Sequence, residues 1–504
     1  MTLDPAGFTI ELANEQETAQ LGADIAIILK VGDLICLSGD LGVGKTVLAR
    51  SCIRYLANDE EFEVPSPTYN LFHSYETELP IAHFDLYRLE SPDELEELGW
   101  QEALDQGCAL VEWPEQGFET LPEYAIQLSF IDVGGDARQV TFSGNDEFLG
   151  RITRSLEIRQ FLKSVLPRAV TRSAMAADAS ARAYEVIASE NDHFLLMNSP
   201  EMPDGPPIKD GKSYSKLAHL AESVTAFVAI DKVLLDAGFC APEIPGFDLE
   251  KGLLLIEFLG DDGIIDDARK PIQDRYVASA EFLAELHQIS FSGEVDVDGK
   301  TNYQIPPFDE QVILAETDLM LQWYVPYKLQ SDISPAEAAE FVTLWQNLHK
   351  TLQGHEHSIV LRDHHSPNII WRGEKSGTDR VGVIDFQDAL LGPSSYDVAS
   401  LAQDARVDVS ENLERIIYDA YIKHRKLLAA EFDEESFHAS YAIMAAQRAT
   451  KILGIFVRLN ERDDKPQYLA HLPRIEAYLK RSLRHPILNE YRNWLGKNKI
   501  VTFS

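Results

Sequence analysis

Eight consecutive residues constrain this chain more than any others. Gly39-Asp40-Leu41-Gly42-Val43-Gly44-Lys45-Thr46 fills the pattern GxxxxGK[ST] completely. Glycines at these spacings let backbone N–H groups converge on a phosphate, and a helix starting there adds the positive end of its dipole. Lys45 is expected to reach the β- and γ-phosphate oxygens and the Thr46 hydroxyl to bind magnesium, so the implied ligands are ATP and Mg2+. The context agrees. Residues 31–38 read as a short buried strand and 45–57 as a helix, which puts the glycine-rich turn between them.

Such a loop needs a second metal ligand and a group that orients the attacking water. Two carboxylates end apolar, strand-like runs: Asp85 follows Ile81-Ala82-His83-Phe84, and Glu112 follows Ala109-Leu110-Val111. Open α/β sheets bind ligands beyond the carboxyl ends of their strands, so both can face the phosphates. The plainer alternative for each is a solvated acid at a strand end. Alternation over 124–130 and 138–142, with Gly134-Gly135-Asp136 between, predicts a closing antiparallel hairpin.

Charge excludes one class of partner. The 504 residues carry 82 acidic against 45 basic side chains, a net charge of -37, and residues 1–150 hold 29 acidic and 6 basic groups. That surface repels phosphate backbones, so no direct nucleic-acid binding is expected and any RNA would be held by a partner. No apolar run suits a membrane span, and Met1–Gly7 has no signal-peptide pattern, so the expected localisation is cytoplasmic. Cys36, Cys52, Cys108 and Cys240 are scattered without a CxxC and read as buried small residues.

The loop together with Pro65-Ser66-Pro67-Thr68-Tyr69, His83-Phe84-Asp85-Leu86-Tyr87-Arg88 and Val111-Glu112-Trp113-Pro114-Glu115 resembles the TsaE family, ATPases of bacterial tRNA threonylcarbamoyladenosine biosynthesis. The likeness spans nearly all of residues 8–145. It implies a switch-like loop at Ser66–Tyr69, Asp85 turned to magnesium, Glu112 to the hydrolytic water and Trp113 shaping the nucleotide site. It also implies that other threonylcarbamoyladenosine biosynthesis proteins are partners and perform the RNA chemistry. A small-molecule kinase is a poor alternative, because an arginine-rich lid is missing: residues 1–150 contain only Arg50, Arg54, Arg88 and Arg138.

Residues 143–150 lack periodicity and read as a linker, giving an expected boundary near 150. An α/β P-loop domain would occupy 1–150, and an α+β, two-lobed domain 151–504, with lobes of about 155–260 and 261–504. Ser155 to Leu166 reads as helical, 183–188 and 193–198 as a hairpin, 215–237 as one long amphipathic helix and 252–258 as a strand. The chemistry lies at Leu361-Arg362-Asp363-His364-His365-Ser366-Pro367-Asn368 and Val383-Ile384-Asp385-Phe386-Gln387-Asp388. Asp363 can accept a proton from a substrate hydroxyl, while Asn368 and Asp385 can hold magnesium on a triphosphate. An acidic loop between two strands is the alternative. His355, His357, His364 and His365 cluster nearby, without zinc-like spacing, and read as structural.

These residues, with Asp178-Ala179-Ser180-Ala181-Arg182, Leu254-Leu255-Ile256-Glu257-Phe258 and Tyr396-Asp397-Val398-Ala399-Ser400, resemble the aminoglycoside phosphotransferase-like branch of the protein-kinase-like fold. Within it the likeness is to the bacterial anomeric kinases of N-acetylmuramate and N-acetylglucosamine (AmgK). The resemblance implies ATP-dependent phosphorylation of a small hydroxylated substrate, an amino sugar. The sequence departs from kinase habit in three places. Leu361 stands where a histidine is usual, Met197-Asn198 stand where a strand lysine would position phosphates, and Asp178–Arg182 replaces a GxGxxG turn. The alternatives are a non-catalytic nucleotide-binding module, or a phosphotransferase for an aminoglycoside, choline or homoserine.

Overall fold

A computed structural model describes residues 7–89, 91, 94, 98–117, 121–175, 182–189, 192–201, 205–291 and 293–502. The expected turn at Asp178–Ala181 lies outside them; Arg182 lies within. The chain forms two compact units. One is Met1–Ala176 with Glu185–Asp192, and the other is Ala177–Tyr184 with His193–Ser504.

The first unit is built on β1 (Phe8–Leu12), α1 (Glu15–Ala26), β2 (Leu34–Ser38), α2 (Lys45–Leu56), β3 (Phe72–Tyr75), β4 (Ile81–Asp85), α3 (Trp100–Gln106), β5 (Cys108–Glu112), β6 (Ile126–Gly134) and β7 (Ala137–Ser143). Its seven-stranded sheet runs β1-β7-β6-β2-β5-β4-β3. Strand β2 lies parallel to β5 and β6, and β4 parallel to β5, while β1, β3 and β7 close the edges antiparallel. Leu34 to Leu37 are buried on both faces, as in parallel strands covered by other elements. Register does the positioning: Asp85 pairs with Glu112, and Glu112 with Leu37, so three strands end together beside the loop into α2.

The sequence reading passes over β1, α1 and β3. The two strands are short, and α1 buries Thr18, Gly22 and Asp24 beside Leu21 and Ile25, which blurs an apolar stripe. The expected linker at 143–150 is instead the start of α4 (Asp146–Val165). Asn145 caps it by accepting from the Phe148 N–H at 2.8 Å, and Phe148, Leu149 and Ile152 enter the sheet's core. Residue 150 therefore falls inside a helix. Beyond it, β8 (Thr171–Ala174) pairs antiparallel with β9 (Ala183–Ala188). Arg172 of β8 is buried between Asp24, at 2.9 Å, and Glu185, at 2.7 Å, and Arg159 pairs with Asp24 as well.

In the second unit β10 (His193–Asn198) and β11 (Gly246–Asp248) flank β12 (Leu253–Glu257) antiparallel. The predicted helix over 215–237 is two pieces, a turn at Tyr214–Leu217 and α5 (Val224–Asp236). It breaks at His219, whose φ is 50°, and at Ala221, whose N–H goes to Asp388 Oδ1 at 2.7 Å. The larger lobe is helical: α6 (Gln273–Leu286), α7 (Glu310–Leu319), α8 (Pro335–Leu352), α9 (Ser395–Ala402), α10 (Glu411–Leu428) and α11 (Glu434–Glu461). Into it are set β13 (His357–Val360), β14 (Ile369–Trp371), β15 (Val381–Val383) and β16 (Leu390–Pro393). The pair β14–β15 is the predicted hairpin, with Ile369 opposite Val383 and Trp371 opposite Val381. All four cysteines are buried thiols. Among the described residues no helix is long and apolar enough to cross a membrane.

Candidate active sites

The loop Gly39–Thr46 leaves β2 and enters α2, with Gly44 at φ 119° immediately before Lys45. Gly39 at φ 133° passes so close to β6 that a Cβ there would lie 2.6 Å from the Phe130 carbonyl oxygen. Only glycine makes that turn without strain. Lys45 points inward. Its Nζ donates to the carbonyls of Gly39 at 2.6 Å and Asp40 at 2.9 Å, and lies 3.8 Å from the centre of the Trp113 ring. Burial lowers the pKa of this amine, while Glu112, Glu115, Asp85 and Asp40 pull it back up. Trp113 reaches that position from a left-handed backbone, φ 59°, and its ring packs against Tyr87.

The two strand-end carboxylates take different partners. Glu112 Oε2 accepts from the Thr46 hydroxyl at 3.0 Å, and Glu112 Oε1 lies 3.0 Å from His83 Nε2. Asp85 Oδ2 accepts from the Thr68 hydroxyl at 2.7 Å, and its Oδ1 from the Tyr87 N–H at 3.0 Å. Thr68 also bonds Ser66, so Asp85 ties down the loop Ser66–Tyr69, while Glu112 faces Thr46 directly. The remaining loop residues, Leu41, Gly42 and Val43, complete the turn; Leu41 is exposed, and the Val43 carbonyl accepts from Arg138 at 3.1 Å. The contribution of His83 was missed in the sequence. Its signal is a histidine within an otherwise apolar strand, fully buried here.

In the second unit Asp363, Asn368 and Asp385 come together. Asn368 Nδ2 donates to the Asp363 backbone carbonyl at 2.9 Å and lies 3.4 Å from Asp385 Oδ2. The loop carrying Asp363 is held by buried acids. Asp397 accepts from the N–H groups of Leu361 at 2.6 Å and Arg362 at 2.8 Å, and Asp404 from that of Ser366 at 2.8 Å. Leu361 thus contributes a buried apolar side chain where a histidine is usual, and the backbone is still anchored. Arg362 and Asp385 both adopt left-handed backbone, φ 72° and 60°. For non-glycine residues that is strain sustained by surrounding structure, and it gathers at functional sites.

Electrostatics separates the two aspartates. Burial pushes Asp363 upward, but Lys451, His365, Arg448 and Arg362 outweigh it and hold this carboxyl below its ordinary value. Asp385 is raised to about 6 by desolvation and by the negative charge of Asp363. Its carboxylate still reaches solvent, and its Oδ1 accepts from Gln387 Nε2 at 2.9 Å and Arg182 Nη1 at 3.2 Å. Among the clustered histidines, His364 stacks on Phe282, His355 bonds Ser436 and His357 bonds the Leu352 carbonyl. Sequence reasoning missed Arg448 and Lys451, which lie on the distant helix α11.

The family model described as threonylcarbamoyl adenosine biosynthesis protein TsaE matches residues 12–140, and that of the phosphotransferase enzyme family matches residues 171–434. The N-acetylmuramate/N-acetylglucosamine kinase of Caulobacter vibrioides is 32% identical over 341 residues, which cover 65% of this chain and 92% of that protein. The tRNA threonylcarbamoyladenosine biosynthesis protein TsaE of Rickettsia felis is 42% identical over 124 residues, covering 24% of this chain and 72% of that protein. Its counterpart in Rickettsia conorii is 45% identical over 124 residues, covering 24% and 70%.

Proposed function

Because the chain belongs to the TsaE family through residues 12–140 and to the phosphotransferase enzyme family through residues 171–434, we propose that one polypeptide carries two ATP-using sites. The first hydrolyses ATP in support of tRNA N6-threonylcarbamoyladenosine modification, acting with the other proteins of that biosynthesis. The second transfers the γ-phosphoryl group to an amino sugar, N-acetylmuramate or N-acetylglucosamine, at the anomeric hydroxyl.

In the first site the donors suit magnesium, a hard cation with octahedral oxygen coordination. Thr46 and Asp85 would hold it, and Glu112, which accepts from the Thr46 hydroxyl at 3.0 Å, stands beside them. Bound there, the metal would neutralise the charge that develops on the phosphates. Lys45 exchanges the carbonyls of its own loop for β- and γ-phosphate oxygens, and backbone N–H groups of Gly39–Gly44 surround the β-phosphate. Glu112 Oε1, held by His83, orients the hydrolytic water. Asp85, the second residue that would hold the metal, is tied to the Ser66–Tyr69 loop through Thr68. Trp113 walls the site behind Lys45.

In the second site the observation that carries the reading is the meeting of Asp363, Asn368 and Asp385 at hydrogen-bond distances. Asn368 and Asp385 are the residues that would hold Mg2+ on the triphosphate, Asp385 through its carboxylate and Asn368 through its side-chain carbonyl, while the Asn368 Nδ2 donates to the Asp363 backbone carbonyl. Asp363, kept ionised by its cationic neighbours, accepts the proton of the acceptor hydroxyl as that oxygen bonds to the γ-phosphorus and the bond to ADP breaks.

The test is transfer of label from [γ-32P]ATP to N-acetylglucosamine, N-acetylmuramate, an aminoglycoside, choline and homoserine. Label on the anomeric oxygen of the sugars is expected, and Asp363→Ala should reduce it by about 10²- to 10⁴-fold. No transfer to any acceptor, or undiminished transfer by Asp363→Ala, would remove the kinase reading. For the first site, Lys45→Ala should abolish hydrolysis in the absence of an acceptor.

A further inference from the structure

We propose that Arg182 binds the triphosphate in the second site, supplying the cation that the missing strand lysine does not; this rests on the kinase reading above. Strand β10 ends in a buried Met197 and Asn198, so no amine enters from there. Three lysines of that lobe are engaged elsewhere. Lys212 Nζ donates to Gln311, Lys232 Nζ to the Asp296 carbonyl, and Lys251 Nζ lies 4.0 Å from Asp248. Arg182, one residue before β9, instead reaches Asp385 Oδ1 at 3.2 Å.

Three features turn this ion pair into a phosphate grip. First, the two oxygens of Asp385 are divided: Oδ1 faces Arg182 and Oδ2 faces Asn368. The guanidinium and the Asn368 amide therefore take different oxygens of the carboxylate and do not compete for one atom. Second, the pair borders open space, with side-chain exposures of 20% for Arg182 and 41% for Asp385. Third, Arg182 touches one of the residues that would hold the metal, so a triphosphate bound through Asp385 would lie beside its guanidinium. Arginine has five N–H donors in a planar fork, so one can stay on Asp385 while others take phosphate.

The test uses the full-length chain with Lys45→Ala, which silences the first site, and measures Mg·ATP and adenosine binding by calorimetry. Adding Arg182→Ala should weaken Mg·ATP by about 10- to 100-fold, the usual scale for a charge-assisted hydrogen bond to phosphate. Adenosine affinity should not change, and Arg182→Lys should recover part of the loss. In the sugar-phosphorylation assay the KM for ATP should rise more than kcat falls. Arg182→Ala that binds Mg·ATP as tightly as its parent overturns the proposal and leaves the kinase reading standing. Equal weakening of adenosine also overturns it, by showing that the arginine only supports the fold. A parent that binds no Mg·ATP removes the kinase reading and this inference with it.

Discussion

Asp231 shows how one residue can make stability depend on pH. It lies on α5, is only 3% exposed, and its Oδ1 has no hydrogen-bond partner. Burial, helped by the negative charge of Glu257, raises its pKa from 3.8 to about 8. The folded state therefore keeps a proton that the unfolded chain releases near pH 4, and between those values folding binds protons. Stability should fall as pH rises from about 4 to about 8 and level off above. Asp231→Asn removes the titration and keeps the shape. The variant should melt above its parent at pH 8.5, by on the order of a few kcal/mol, and the gap should close toward pH 4. A gap of equal size at both pH values would contradict this. At the same scale the candidate site residues were legible where chemistry dictates spacing: Lys45 and Thr46 in one loop, Asp363 and Asn368 in another. The partners of Glu112 were not, because Thr46, His83 and Glu112 meet only through strand register.

Helix α4 decides where the first unit ends. Asp24 of α1 is 1% exposed and is paired with Arg159 of α4 and Arg172 of β8. A fragment ending at Gly150 loses both arginines, together with Ile152 from the core. An uncompensated buried charge costs about 3–5 kcal/mol, a large share of ordinary domain stability. A fragment of residues 1–192 is expected to melt cooperatively and one of residues 1–150 to lack a cooperative transition. Circular dichroism melts of the two decide it. Helix α11 offers a second case. Gly454 lies against the end of α7, where a Cβ would come within 2.3 Å of the Leu319 backbone. Immediately after that point the chain widens into a π-helical turn, Met320–Tyr324. Gly454→Ala should destabilise by about 1–3 kcal/mol, despite alanine's better helix propensity, because the obstacle is backbone. A melt unchanged or raised by this substitution would contradict the close crossing. Neither feature was readable beforehand. The first turn of α4 looks like a linker because its polar cap and short apolar run carry no full period, and a glycine within a helix does not announce its neighbour.

For the molecule as a whole, two separate triphosphate sites predict two equivalents of Mg·ATP bound per chain. Lys45→Ala should leave one, Asp385→Asn should leave the other, and the double variant neither. Calorimetric stoichiometry measures this, and a single equivalent in the parent would refute it. The sequence by itself determined the two kinds of chemistry, because a phosphate cradle and a base-plus-metal loop each need particular residue types at short, fixed spacings, and these survive in a linear text. It determined β2, β4, β5, β6 and β7 of the first unit and the β14–β15 hairpin for the same reason: buried strands show as local apolar runs. Tertiary structure alone decided which groups meet across long separations. Glu112 faces Thr46 across 66 positions, and Arg182 reaches Asp385 across 203. Strand register and lobe packing set such contacts, and no local periodicity records them.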